Sequence, residues 1–148
     1  MAVRVSFPGP FAVLLFPSLV LLGCSKPPQE TYPVMGVVMW SDGKPAVELN
    51  GGMVGLQMIE GVSVPVSPVG TIGPDASFTL KTYRQGDGAP AGKYRASVRL
   101  PPPEDGQPIR QSPLMDSRFQ SYRKSPLEVT VLEQSNELKL TIERAPRK

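Results

Sequence analysis

The side chains that usually carry enzyme chemistry are nearly absent from this sequence. It contains no histidine and one cysteine, Cys24. Without an imidazole there is no Ser-His or Cys-His nucleophile system, and the usual zinc ligand sets are missing as well. The adjacent carboxylates Glu104 and Asp105 have the groups for acid and base work, but they lie in a Pro/Gly-rich stretch where such residues are normally solvated turn formers. The Asp-Gly dipeptides do not belong to a D-x-D-x-D-G loop, the pattern that gathers enough oxygens for calcium. The expectation is a non-enzyme with no metal and no cofactor.

What remains is the chemistry of contact. Lys93, Arg95 and Arg99 alternate with Tyr94, Ala96 and Val98, so on a strand they project from one face, with Lys81 expected nearby. An anionic glycan or envelope polymer has charges to meet there, although a solvated sheet face is the plainer account. Aromatic rings stack on the C–H groups of sugars, which makes Trp40, Tyr83, Phe119 and Tyr122 candidates. Trp40 is expected in the core or at its rim. Phe119 and Tyr122 are spaced to share one face of a helical turn, where they either anchor a long insert or touch a ligand. Lys93, Arg95, Arg99, Phe119 and Tyr122 are therefore the candidate contacts for a ligand or partner. Of 16 basic side chains only Arg4 precedes Cys24, so 15 stand against 13 acidic ones in the remainder. That small excess, without a clustered stripe, does not predict nucleic-acid binding.

The first 24 residues have the form of a secretory leader: one positive residue, an almost wholly apolar run over residues 11–22, and a small residue before the cysteine. The run is too short for a comfortable membrane span, which needs about 20 residues, and Pro17 interrupts it. Leu21-Leu22-Gly23-Cys24 resembles the bacterial lipoprotein box, in which the cysteine thiol receives diacylglycerol and becomes the acylated amino terminus. The resemblance implies a signal peptide over residues 1–23 and a membrane anchor at Cys24, with several acyl chains giving stable attachment. In such lipoproteins an Asp after the cysteine retains the protein in the inner membrane. Ser25 and Lys26 stand here instead, which implies the outer membrane. Residues 24–33 then form a lipidated, Pro-rich tether whose extended reach is about 30 Å.

Beyond the tether the apolar residues recur with period two. Tyr94, Ala96, Val98 and Leu100 form one such series, Leu127, Val129 and Val131 a second, and Leu138, Leu140 and Ile142 a third. Residues 34–40 are apolar on both faces and suit a central strand, while residues 77–83 place Phe78, Leu80 and Thr82 on one side. Asp42-Gly43, Asn50-Gly51, Gly73-Pro74, Asp87-Gly88 and Asp105-Gly106 supply turns between the runs. The pattern predicts an all-β fold, a single antiparallel β-sandwich of about seven strands. Residues 47–69 have no clear register. Residues 101–126 form a Pro-rich insert with a short helical turn opened by Ser117, a capping-box spacing from Gln120.

Gly36-Val37-Val38 with Ser41-Asp42-Gly43-Lys44-Pro45 resembles the opening hairpin, G-x-V-x-x-x-D-G-K-P, of carboxypeptidase-regulatory-like, transthyretin-like (prealbumin-like) domains. Asp75-Ala76-Ser77-Phe78-Thr79-Leu80 is similar to their D-G-x-F-x-L strand, and Gly88-Ala89-Pro90-Ala91-Gly92-Lys93-Tyr94 to their G-x-P-A-G-x-Y turn. Ser125-Pro126-Leu127-Glu128-Val129-Thr130-Val131 resembles the S-P-L-x-V-x-V entrance to a last hairpin in small lipoproteins of this type. The resemblance spans residues 34–142 and implies a transthyretin-like domain over residues 34–148. Ala76 stands where those domains usually have glycine, which predicts an altered turn. The hydrolase branch of transthyretin-like proteins depends on histidines and a C-terminal tetrapeptide ending in serine, and this chain ends Ala145-Pro146-Arg147-Lys148. The resulting expectation is a non-catalytic, membrane-anchored envelope lipoprotein serving as a structural or protein-interaction module. The alternative is a carbohydrate-binding module for an envelope or extracellular glycan. The partners expected are the membrane, through the lipid, and envelope proteins or glycan.

Overall fold

The computed structural model of the chain describes residues 29–61, 65–103 and 114–146. Seven strands lie among them: β1 (Val34–Trp40), β2 (Met53–Gly61), β3 (Val69–Thr71), β4 (Ser77–Thr79), β5 (Gly92–Arg99), β6 (Glu128–Val131) and β7 (Asn136–Ile142). The only helical elements among the described residues are two short 3-10 turns, Val47–Leu49 and Ser117–Gln120. The strands form a three-stranded sheet in the order β4-β1-β7 and a four-stranded sheet in the order β3-β2-β5-β6. One apolar core is enclosed, as expected of a β-sandwich.

Alternation along the strands builds that core. In β7, Asn136, Leu138, Leu140 and Ile142 are buried while Glu137, Lys139 and Thr141 face out, and in β5 Tyr94, Ala96 and Val98 point inward. Trp40, Leu49, Leu56, Ile72, Leu80 and Tyr94 join them as large, fully buried side chains. Gly36 of β1 is required by packing, because a Cβ there would meet the Leu138 backbone oxygen and lie 2.6 Å from the Phe78 ring. Tyr94 reaches back to donate its hydroxyl to the Pro90 carbonyl at 2.8 Å, a tyrosine corner that ties the loop before β5 to the strand itself.

Several expectations need correction. The sandwich is not wholly antiparallel: β1 and β7 run parallel, in register from Val34 opposite Asn136 to Trp40 opposite Ile142. Nor do the last two strands form a hairpin, since β6 pairs with β5 and β7 with β1. The connection crosses between sheets, and Asn136 fastens it by accepting from the Leu132 amide at 2.9 Å and donating to the Leu132 carbonyl at 3.0 Å. The strand expected over residues 77–83 stops at Thr79. Lys81 then pairs with Val69 through two backbone bonds of 2.8 and 3.0 Å, carrying the chain from one sheet to the other.

Three local details also differ. The longest strand, β2, occupies the stretch that showed no register. The turn at residues 117–120 is capped by Asp116, whose carboxylate accepts from the Arg118 amide at 2.9 Å, and not by Ser117. Ala76 keeps the left-handed geometry that glycine would supply, with φ of 64°, a conformation that costs an L-residue roughly 1–2 kcal/mol. Asp75 supports it by accepting from the amide and hydroxyl of Ser77 at 3.1 and 2.6 Å.

Replacing Tyr94 with Phe should cost about 1–3 kcal/mol in a urea titration, because the buried Pro90 carbonyl loses its donor. Burial, and secondarily the nearby Tyr83, push the Tyr94 phenol up to about 12 from its ordinary 10.0. The folded state therefore holds the proton longer, so the stability that depends on it is complete below pH 10 and is lost between about 10 and 12. Wild type should lose up to about 3 kcal/mol more than Tyr94→Phe across that window.

Candidate functional site

Strand β5 presents Lys93, Arg95, Ser97 and Arg99 on its outer face. Register decides what their charges do. Lys93 stands opposite Glu60 of β2 and pairs with it at 3.1 Å, and Arg95 stands opposite Glu128 of β6 and pairs at 2.9 Å. Arg99 is exposed and makes no ion pair among the described residues. Lys81 is not a neighbour of this face: it bridges to β3, two strands from β5 across the sheet. The three β5 cations are thus placed together by one strand, but two of them already have cross-strand carboxylates.

The insert covers the middle of the same face. Gly55 of β2 lies opposite Ser97, and both are buried although they point away from the core. The Tyr122 hydroxyl accounts for this, since a Cβ on Gly55 would collide with it and would lie 3.6 Å from the Ser97 hydroxyl oxygen. The tyrosine rests on a gap left by the glycine. Ser97 Oγ is buried there without a hydrogen-bond partner. Phe119, three residues earlier, is only 2 % exposed and belongs to the core, with the Arg118 guanidinium 4.9 Å from the centre of its ring. Arg118 also pairs with Glu143 at 2.6 Å, and the Asp116 amide bonds to the Glu143 carbonyl at 3.1 Å. Of the two insert aromatics, one is an anchor and the other a cover for β2 and β5.

A second cluster forms where β1 and β7 end. Trp40 is buried, and its indole N–H donates to Glu48 Oε2 at 2.9 Å. Arg144 donates to Glu48 Oε1 at 3.0 Å and lies over the Trp40 ring at 4.1 Å. The indole hydrogen bond, followed by the Glu48 backbone amide and Arg144, holds the Glu48 carboxyl below its ordinary value. Trp40 therefore presents no open ring to a sugar. Sequence reading could not supply this triad, because Glu48 and Arg144 are 96 positions apart.

Three of the remaining acidic groups, Asp42, Asp75 and Asp87, serve turns. Burial pushes the Asp87 carboxyl up, but amide donors at Thr82, Tyr83 and Arg84, at 2.7, 2.9 and 2.9 Å, bring it below the ordinary value. Asp42 accepts from the Lys44 amide at 3.0 Å. No group of three or more metal-ligating side chains occurs among the described residues. Cys24, Glu104 and Asp105 lie outside the described residues. A shallow cleft of about 270 Å³ opens between β3 and β4, lined by Thr71, Ser77, Phe78, Thr79, Lys81 and Gln85. No signal in the sequence pointed to it, since its walls come from two sheets.

No protein-family model, curated protein or solved structure matches the chain.

Replacing Gly55 with Ala should displace Tyr122 with a stability loss of about 1 kcal/mol, because the colliding atom ends a side chain that can swing away. The same change at Gly36 should cost more than about 3 kcal/mol, because backbone stands in the way. Chemical denaturation of both variants checks the order, and faster Tyr122 modification in Gly55→Ala checks the cause.

Proposed function

We propose that the chain is a secreted, lipid-anchored envelope protein whose sandwich is a non-catalytic structural or protein-interaction module of the transthyretin-like class. The observation that carries this reading is the position of Cys24, the sole cysteine, at the end of an apolar leader and before a polar, Pro-rich stretch. Ser25 and Lys26 favour the outer membrane as its site. Support for a non-catalytic module comes from the carboxylates of the described surface, most of which cap turns or pair with cations of neighbouring segments. The transthyretin-like assignment rests on the order of the motifs over residues 34–142 and is compatible with two sheets around one core. Mass spectrometry of the mature amino terminus should find a diacylglyceryl adduct on Cys24, and the protein should sediment with membranes. An unmodified Cys24 in the soluble fraction would sink the reading.

One observation favours a second reading, a glycan-binding module. The cleft between β3 and β4 offers hydroxyls from Thr71, Ser77 and Thr79, the Gln85 amide and the Lys81 ammonium, a mixture suited to a saccharide. Under this reading a glycan array bound by the full chain should lose at least about tenfold in affinity with Gln85→Ala and Lys81→Ala, equivalent to about 1.4 kcal/mol. Absence of binding across the array, or binding unchanged by either substitution, removes it.

A further inference from the structure

The folded part begins earlier than the tether's composition indicates. Tyr32 exchanges two backbone hydrogen bonds with Ala89, at 2.9 and 3.1 Å, and the Pro33 carbonyl accepts from the Asn136 amide at 2.8 Å. Only residues 25–31 separate Cys24 from Tyr32, a span of at most about 28 Å when fully extended. The segment that was expected to lift the domain off a bilayer is therefore shorter, and its attachment point is one particular end of the sandwich.

That end is defined by register. Val34 opens β1 opposite Asn136 of β7, while Gly92 of β5 lies opposite Gly61 of β2 and Val131 of β6. Around this proximal end run residues 29–33, the end of β2, the loop over residues 80–91 and the connection over residues 132–135. Among the described residues it also carries most of the exposed large apolar side chains. Ile59, Tyr83 and Leu132 are 50 %, 38 % and 51 % exposed, and Met35 near the start of β1 is 53 % exposed. At the opposite end, among the described residues, only Val47 and Met53 are comparable. Ile59 sits at the irregularity in β2 between Met58 and Glu60, so the bulge presents it to solvent rather than to the core.

We infer that the proximal end of the sandwich rests on the lipid bilayer, with Ile59, Tyr83 and Leu132 in the headgroup layer. The inference depends on the lipid-anchor reading of Cys24. A tether this short holds the proximal end at high effective concentration against the bilayer, so weak apolar contacts suffice. Tyrosine, with an apolar ring and a polar tip, suits the interface. The charges of these segments are Lys81, Arg84 and Lys93 against Glu30, Glu60, Asp87 and Glu133. With no cationic excess, the contact is apolar in origin, and an anionic surface offers it no added attraction over a zwitterionic one.

The test uses the full lipidated protein in vesicles of phosphatidylcholine and phosphatidylethanolamine. Nitroxide labels are placed on the single variants Ile59→Cys, Tyr83→Cys and Leu132→Cys, with Val47→Cys and Met53→Cys as distal controls. Labels at the proximal end should be relaxed at least threefold more by oxygen, relative to a water-soluble nickel chelate, than the distal labels. Equal relaxation at both ends, with an acylated Cys24 in the mass spectrum, overturns the docked orientation and leaves the anchor intact. An unacylated Cys24 overturns both.

Discussion

The parallel pairing of β1 with β7 is the constraint from which most of the structure follows. It joins residues about 100 positions apart along seven consecutive registers and places the first and last of the described strands side by side. Such pairing is non-local, so its loop-closure entropy must be offset by side-chain burial along the whole interface. Gly36 is the narrowest point: the Leu138 backbone and the Phe78 ring leave no room for a Cβ. At one end of the pair Asn136 fixes the crossover from β6, and at the other Trp40, Glu48 and Arg144 hold the strand ends together. Both termini of the pair are thus closed by side chains rather than by a hairpin turn.

The strands that could be read in advance are those with one wet face. β7 alternates between core and solvent, and β5 keeps polar residues at its outward positions Lys93, Arg95, Ser97 and Arg99 even though Ser97 is buried. β2 carries no such alternation, because its outward positions include Met53, Gly55 and Ile59, with Gly55 buried beneath Tyr122. A strand covered on both sides loses its period, and a glycine in its middle reads as a turn rather than as a landing place for a ring. Pairing partners were less legible than strands. Alternation specifies which face is buried, but nothing local states that residues 128–131 and 136–142 belong to different sheets.

The same distinction explains the candidate contacts. Spacing correctly placed Lys93, Arg95 and Arg99 on one face, since that follows from period two alone. Whether those cations were free depended on the neighbours, Glu60 and Glu128, which strand pairing supplies from 33 residues away in each direction. Exposed pairs of this kind contribute little to stability, typically below about 1 kcal/mol. Their effect is on the surface: two of the three cations on this face are offset by cross-strand carboxylates, and Arg99 alone has none among the described residues. Phe119 and Tyr122 were separable only with the insert in place, because a 3-10 turn puts the former into the core and lets the chain after it lay the latter across β2.

The carboxylates follow a common logic that bears on what the domain can do. Asp42, Asp75, Asp87 and Asp116 each accept from backbone amides within five residues. At Asp75 and Asp87 these donors hold the carboxyl below its ordinary value, which favours the ionised form over the proton exchange that acid and base work requires. Such bonding also rigidifies the turn at small entropic cost, since donor and acceptor are already close in sequence. A chain with no histidine has few other ways to spend charge inside a small β fold. Among the described residues much of the polar chemistry goes into turns and strand ladders, and four of the six exposed large apolar side chains lie at the end of the sandwich where β1 begins.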